Sequence, residues 1–187
     1  MFHGWDYAER QAFNNGGSPS ISGWDTSNVT DMREMFKWCT SFNQPIGHWN
    51  TSKVTNMYRM LYRATSFNQD LGGWDVTGVT DLSYFFQNND VFNNGGSTGI
   101  NNWRPSSCTT LQGMFQNATG FNQPIGDWDV SSVQNFSVMF QNLYYINTPM
   151  AFDQDIGNWD TSSATNMRSM FHGWDYAERQ AFNNGGS

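Results

Sequence analysis

The sequence predicts a repeat solenoid, a fold in which similar units of about 25 residues stack on one another. Two observations support this fold class. A pattern of Ile or Leu followed three residues later by Trp recurs at spacings of 25, 25, 29, 25 and 31 residues. The residues after each pattern keep the same order of apolar and polar types. The six repeats begin at Ile21, Ile46, Leu71, Ile100, Ile125 and Ile156.

A longer period contains these six repeats. The residues from Met170 to Ser187 are identical to those from Met1 to Ser18, so the six-repeat block recurs after 169 residues. We therefore predict one continuous domain over residues 1–187, made of one block and an overlap of eighteen residues. The predicted partners are further copies of the same block in one long chain, with lateral contacts between filaments.

The apolar positions of each repeat predict its core, because stacked repeats can bury side chains that one repeat alone cannot. In repeat one, residues 32–36 have the sequence MREMF, with apolar residues at i, i+3 and i+4, which predicts one short helix. An Asp, Asn or Thr precedes this segment in every repeat, in the position of a helix N-cap. The tryptophans of the six repeats are Trp24, Trp49, Trp74, Trp103, Trp128 and Trp159.

The polar positions predict the loops. The stretch FNQPIGHW, residues 42–49, predicts an extended segment. Trp-Asp-Thr-Ser predicts a turn, because Asp and Ser side chains bond to nearby backbone groups. One position holds an amide in nearly every repeat, which predicts a ladder of stacked side chains that closes the loop. Its members are Asn43, Asn68, Asn93, Asn122 and Asn183, with Asp153 in the fifth repeat.

The shared motif M-F-x-x-A-x-x-F-N-Q-x-I-G-x-W-D-T-S-x-V-T-x-M resembles the mycoplasma-type surface-lipoprotein repeat, which is related to the BspA-like leucine-rich-repeat surface proteins. The resemblance covers essentially the whole chain. It implies a leucine-rich-repeat-like solenoid, with short parallel β-strands and a short helix in each unit, located at the cell surface or outside the cell. Adhesion is the usual suggestion for such proteins. Repeat four departs from the motif, because WRPSS replaces WDTSS there.

Composition excludes two classes of function. The net charge is −7 and the nine Lys and Arg residues are scattered, whereas nucleic-acid binding needs clustered basic residues. No apolar run approaches the length of a membrane span. We therefore expect neither a nucleic-acid partner nor a membrane span in this segment.

Catalytic residues are not expected. No His–carboxylate or nucleophile motif departs from the repeat, so the sequence predicts a protein that is not an enzyme and has no cofactor. Calcium binding by the Asp and Asn loops is the alternative, but no EF-hand or nonapeptide spacing occurs. Cys39 and Cys108 are predicted to be core residues. The recurring aspartates, assigned to turns, are Asp25, Asp75, Asp129 and Asp160.

Insertions in repeats five and six predict a contact ridge that binds a glycan or a surface protein. The insertion DYAERQA at residues 175–181 is also predicted to form a helical turn. Packing of the tyrosines beneath the insertions is the open alternative. The ridge consists of Tyr144, Tyr145, Tyr176 and Tyr7, the last being the earlier copy of Tyr176. Four sequons for N-glycosylation occur, at Asn28, Asn50, Asn117 and Asn135.

These patterns predict a structural role. We expect a segment of a long extracellular fibre, stalk or surface coat, built from tandem repeats. The alternative is a shorter cell-surface adhesin that binds glycan or protein through the tyrosine ridge.

Overall fold

The computed structural model describes residues 7–143 and 148–173. These residues contain one α-helix, α1 (Tyr7–Ala12), and no β-strand. Consecutive repeats are joined by isolated parallel bridges of one residue each. The bridges pair Asp31 with Asn56, Asn56 with Asp81, Asp81 with Thr110, Thr110 with Asn135, and Asn135 with Asn166. Four short 3₁₀ helices span Asn15–Gly17, Pro19–Gly23, Asn94–Gly96 and Thr98–Asn102.

The predicted leucine-rich-repeat-like solenoid of short strands and helices is therefore wrong. In place of the predicted helix, residues 32–39 form a chain of tight turns. Glu34 and Trp38 have φ values of 54° and 67°, in the left-handed region, and a right-handed helix cannot continue through such residues. The spacing of apolar residues at i, i+3 and i+4 is met by these turns as well as by a helix.

Alternate amides in this segment serve different partners. The Met35 N–H donates to the Met32 carbonyl of its own repeat, at 3.3 Å. The neighbouring Glu34 and Phe36 N–H groups donate to repeat two, to the Tyr58 and Met60 carbonyls, each at 2.9 Å. Every second amide thus bonds to the next repeat. The same arrangement recurs in the repeats that follow.

The segment predicted as extended, residues 42–49, contains no strand, and side-chain amides bond to its backbone. The predicted amide ladder is confirmed, apart from Asn183, which lies outside the described residues. Asn43 Oδ1 accepts from the Asn68 N–H at 3.0 Å and from the Gln69 side chain at 2.9 Å. The same bond, at 2.9–3.0 Å, joins Asn14 to Asn43, Asn68 to Asn93, Asn93 to Asn122, and Asn122 to Asp153.

Aromatic columns form the core. Each Trp Nε1 from repeat two to repeat six donates to the carbonyl of the first residue of the preceding repeat, at 2.9–3.0 Å. The tryptophans of successive repeats therefore share one column. A second column has ring centroids 5.7–6.2 Å apart and contains Phe13, Phe42, Phe67, Phe92, Phe121 and Phe152.

Two smaller predictions were also tested by the structure. Cys39 and Cys108 are fully buried thiols, as expected for core positions. The insertion at residues 175–181 lies outside the described residues, but its identical earlier copy at residues 6–12 contains α1.

A candidate binding face of arginine and aromatic side chains

Each of the first four repeats has two residues with a left-handed backbone. The two positions are Glu34 and Trp38 in repeat one, Arg59 and Arg63 in repeat two, Tyr84 and Asn88 in repeat three, and Gly113 and Asn117 in repeat four. This conformation suits Gly and Asn and is unfavourable by roughly 1–2 kcal/mol for most other residues. Repeat two therefore holds two arginines in an unfavourable conformation, which is a common property of functional positions.

Arg59 lies among three tyrosine rings. Its guanidinium carbon is 4.9 Å from the ring centroid of Tyr58, 5.3 Å from that of Tyr62 and 5.1 Å from that of Tyr84. These distances are typical of cation–π interactions. The Tyr84 ring lies over Gly113, where a Cβ atom would approach the ring to 2.4 Å. Because Gly113 has no side chain, it leaves room for the Tyr84 ring, which is one of the three rings around Arg59.

Arg63 stacks on the opposite part of the same cluster. Its guanidinium carbon is 4.3 Å from the Trp38 ring centroid and 5.9 Å from that of Tyr62. The two rings contact each other edge to face at 5.5 Å. The Nε atoms of Arg59 and Arg63 are buried, and neither has a hydrogen-bond partner among the described residues. Buried polar atoms without partners are rare in proteins.

The face is also electrostatically distinct. Repeat two carries Lys53, Arg59 and Arg63 against Asp70 alone, in a chain of net charge −7. The ion pairs found in the described residues both lie in repeat one, Arg33–Asp31 at 2.7 Å and Lys37–Glu34 at 2.6 Å. Neither arginine of repeat two forms an ion pair there. The result is a local cationic patch framed by aromatic rings, which we call the arginine–aromatic face.

A polar cavity of about 330 Å³ adjoins this face. Its lining comes from two adjacent columns of equivalent residues and from one residue of the repeat-five insertion. The first column contributes Arg63, Asn88 and Asn117, and the second contributes Thr65, Asp90 and Thr119. Asn117 Nδ2 donates to Asn88 Oδ1 at 2.7 Å. Beside the cavity, Gln87 donates to Gln116, which donates to Gln141.

The predicted tyrosine ridge falls mostly outside the described residues. Tyr144, Tyr145 and Tyr176 lie outside the described residues, and Tyr7 is the first residue of α1. The arginine–aromatic face was not predicted from the sequence. A signal existed, since Arg59 and Arg63 occupy columns that hold Gly and Asn in repeat four.

The four sequons differ in accessibility. Asn28 and Asn50 are exposed, and Asn135 is half-buried. Asn117 is only 1% exposed, so its side chain is closed to a glycosylating enzyme in this fold. Glycosylation at the two exposed sites stays a prediction.

The recurring aspartates close turns, as predicted. Each accepts a hydrogen bond from the N–H two residues later, at 2.9–3.2 Å, and the four are Asp25, Asp75, Asp129 and Asp160. Bonds from Ser27 and Ser162 lower the pKa of Asp25 and Asp160 below its usual range. Within the described residues, no three His, Cys, Asp or Glu side chains lie close enough together to share a metal ion.

The repeated contacts define a tandem-repeat protein with the arginine–aromatic face on one flank. A family model, described as Mycoplasma protein of unknown function, DUF285, matches residues 7–98 and again residues 94–184. The chain belongs to this family and carries two tandem copies of the family repeat. The predicted resemblance to a mycoplasma-type repeat is thus confirmed, while the link to BspA-like proteins stays a prediction. No curated protein and no solved structure was found to match the chain. None of the described helices could cross a membrane.

Proposed function

We propose that this chain is a structural segment of a long extracellular fibre, stalk or surface coat. The proposal is carried by one observation, a set of contacts that recurs between the described repeats. The Trp Nε1 bond to the preceding repeat occurs at all five junctions of the six repeats, and the Asn Oδ1 bond to the following repeat occurs at the first four. Because each repeat contacts only its neighbours, the same contacts can extend a stack of any length.

The exposure of the Trp column supports this role. Trp24 of repeat one is 43% exposed, whereas Trp49 and Trp103, which have a described repeat on both sides, are 3% and 1% exposed. Stacking of one repeat on another thus buries the Trp ring, and burial of apolar surface favours such stacking.

Chains with one, two and four copies of the 169-residue block, each followed by residues 170–187, test the proposal. Small-angle scattering should give a maximum dimension that grows by about 30 Å per block, from six repeats at the ~4.8 Å spacing of hydrogen-bonded backbones. A dimension that grows with the cube root of the mass would contradict an extended stack. Protease treatment of intact source cells tests the location, because an extracellular segment should be cleaved while a cytoplasmic marker survives.

Adhesion is the second candidate function, and the arginine–aromatic face favours it. Arg and aromatic side chains are over-represented among the residues that carry binding energy at interfaces. Arg59 and Arg63 are held against rings rather than against carboxylates. A fibre segment with this face would contact a partner once in each block.

A further inference from the structure

We propose that the polar cavity beside Arg63 binds one neutral sugar residue of a glycan. The inference rests on the adhesive role and names its ligand class. It does not depend on the fibre, because the cavity is formed within a single chain by repeats two to four and by Thr148.

The cavity has the size and position of a shallow sugar site. Its volume of about 330 Å³ is at the lower end of the range for small-molecule pockets. It is built on columns that the repeat fixes in register, since the Arg63 N–H donates to the Gln87 carbonyl and the Asn88 N–H to the Gln116 carbonyl, each at 2.9 Å. The lining side chains are thus held by backbone hydrogen bonds between repeats.

The lining favours a polyhydroxyl ligand. Arg63 offers only donors and Asp90 only acceptors, while the amide of Asn88 and the hydroxyls of Thr65 and Thr119 offer both. Sugar hydroxyls also donate and accept, so a sugar ring can satisfy this mixed set. A carboxylate or phosphate ligand would gain from Arg63 but would be repelled by Asp90. The cavity therefore matches a neutral sugar better than an anion.

The Arg63 side chain is already ordered before a ligand binds. Its guanidinium is held by the rings of Trp38 and Tyr62, and the described residues provide it with neither a hydrogen bond nor an ion pair. A side chain that is already ordered loses little freedom on binding, which favours affinity. A ligand hydroxyl that enters the cavity would accept a hydrogen bond from the guanidinium group of Arg63.

Saturation-transfer NMR on the full chain tests the ligand class. The neutral probes are methyl glucoside, methyl galactoside and methyl N-acetylglucosaminide, and the charged probes are methyl glucuronide and inorganic phosphate. Inorganic phosphate has no carbon-bound protons, so it is tested by its competition with a bound glycoside. We expect at least one neutral glycoside to bind and phosphate not to bind. If no neutral glycoside binds, or if a charged probe binds roughly tenfold tighter than every neutral one, the proposal is overturned.

Variants taken from the repeat itself locate the site. Arg63→Asn introduces the residue found at Asn88 and Asn117, and Asp90→Thr introduces the residue found at Thr65 and Thr119. Each should weaken binding roughly tenfold, because each removes a charge-assisted hydrogen bond. Lys53→Ser is the matched control, since it removes a charge from repeat two at a position that is serine in repeats four to six and does not line the cavity.

Two outcomes would show that the glycoside binds somewhere other than this cavity. Unchanged binding by both Arg63→Asn and Asp90→Thr would contradict the assignment. In the unmodified chain, the bound glycoside should also shift the side-chain amide signals of Asn88 and Asn117, which serves as a test if a variant fails to fold. Shifts confined to other amides would place the ligand elsewhere and overturn the proposal.

Discussion

Repeats two and four have the same backbone and different surfaces. At the first left-handed position φ is 53° at Arg59 and 58° at Gly113, and at the second it is 56° at Arg63 and 57° at Asn117. Repeat four has the residue types that this conformation prefers, whereas repeat two has two arginines packed against rings. The shared contacts between neighbouring repeats impose the backbone, so residues on the flank can vary independently.

The inner positions show the opposite behaviour. Leu61 in repeat two and Phe115 in repeat four occupy the same column, and both are fully buried. Phe115 stacks on Phe86 and on Phe140, with ring centroids 5.6 Å apart in each case. This inner position varies only among the apolar residues Phe and Leu, because each side chain contacts the repeats on both sides.

The largest expected effect comes from the shared core. Phe115→Ala should destabilise the fold by about 3–5 kcal/mol, and Leu61→Ala by about 2–5 kcal/mol, through lost burial and a cavity. Denaturant unfolding followed by tryptophan fluorescence measures both. An unchanged midpoint for Phe115→Ala would contradict a core common to the two repeats, and Lys53→Ser is the exposed control.

A smaller effect should distinguish repeat four from repeat two at the first left-handed position. Gly113→Ala adds a Cβ atom 2.4 Å from the Tyr84 ring, on a backbone with positive φ, and should destabilise by about 1–3 kcal/mol. Arg59→Gly relieves the same backbone strain but removes contacts with three rings, so its net effect should stay within about 1 kcal/mol. Thermal unfolding of both variants measures the difference.

Equal destabilisation by the two substitutions would mean that the arginine cluster supports the fold. A small effect of Arg59→Gly, with Gly113→Ala clearly destabilising, would mean that repeat two keeps its arginines for binding. The two variants therefore separate a structural cluster from a functional one.

The sequence was sufficient to predict contacts that every repeat shares. The Trp column and the ladder of Asn43 and Asn68 follow from identical residues at a fixed period, because stacked copies must place them together. The helix at residues 32–36 was predicted wrongly, because one left-handed residue interrupts a segment whose apolar spacing is that of a helix. Glu34 is left-handed without being Gly or Asn, so its residue type gave no warning.

The candidate site was missed for a related reason. The contact ridge was predicted at Tyr144 and Tyr145 because insertions are the visible departures from a repeat. The arginine–aromatic face instead combines Trp38, Arg63 and Tyr84 from three different repeats. Each is an ordinary residue in its own repeat, and only the stacking of repeats brings the rings and the guanidinium groups together.

The smallest expected effect concerns one core position where the two repeats differ. Val54 of repeat two corresponds to Cys108 of repeat four, and both are buried. Burial raises the pKa of the Cys108 thiol from its ordinary value of 9.0 to about 12. The folded state therefore keeps the thiol protonated at a pH where the unfolded chain loses the proton. The stability contribution is fully present below pH 9 and is lost as pH rises from 9 toward 12.

Cys108→Val makes repeat four match repeat two and removes this titration. At pH 7 the variant and the unmodified chain should have similar free energies of unfolding, because the two side chains are small and apolar. At pH 10, one unit above the ordinary pKa, the unmodified chain should have lost about 1 kcal/mol relative to the variant. Urea unfolding at the two pH values measures this difference. Equal loss of stability in both proteins would mean that the Cys108 thiolate is tolerated in the fold, so that repeat four is more open at this position than repeat two.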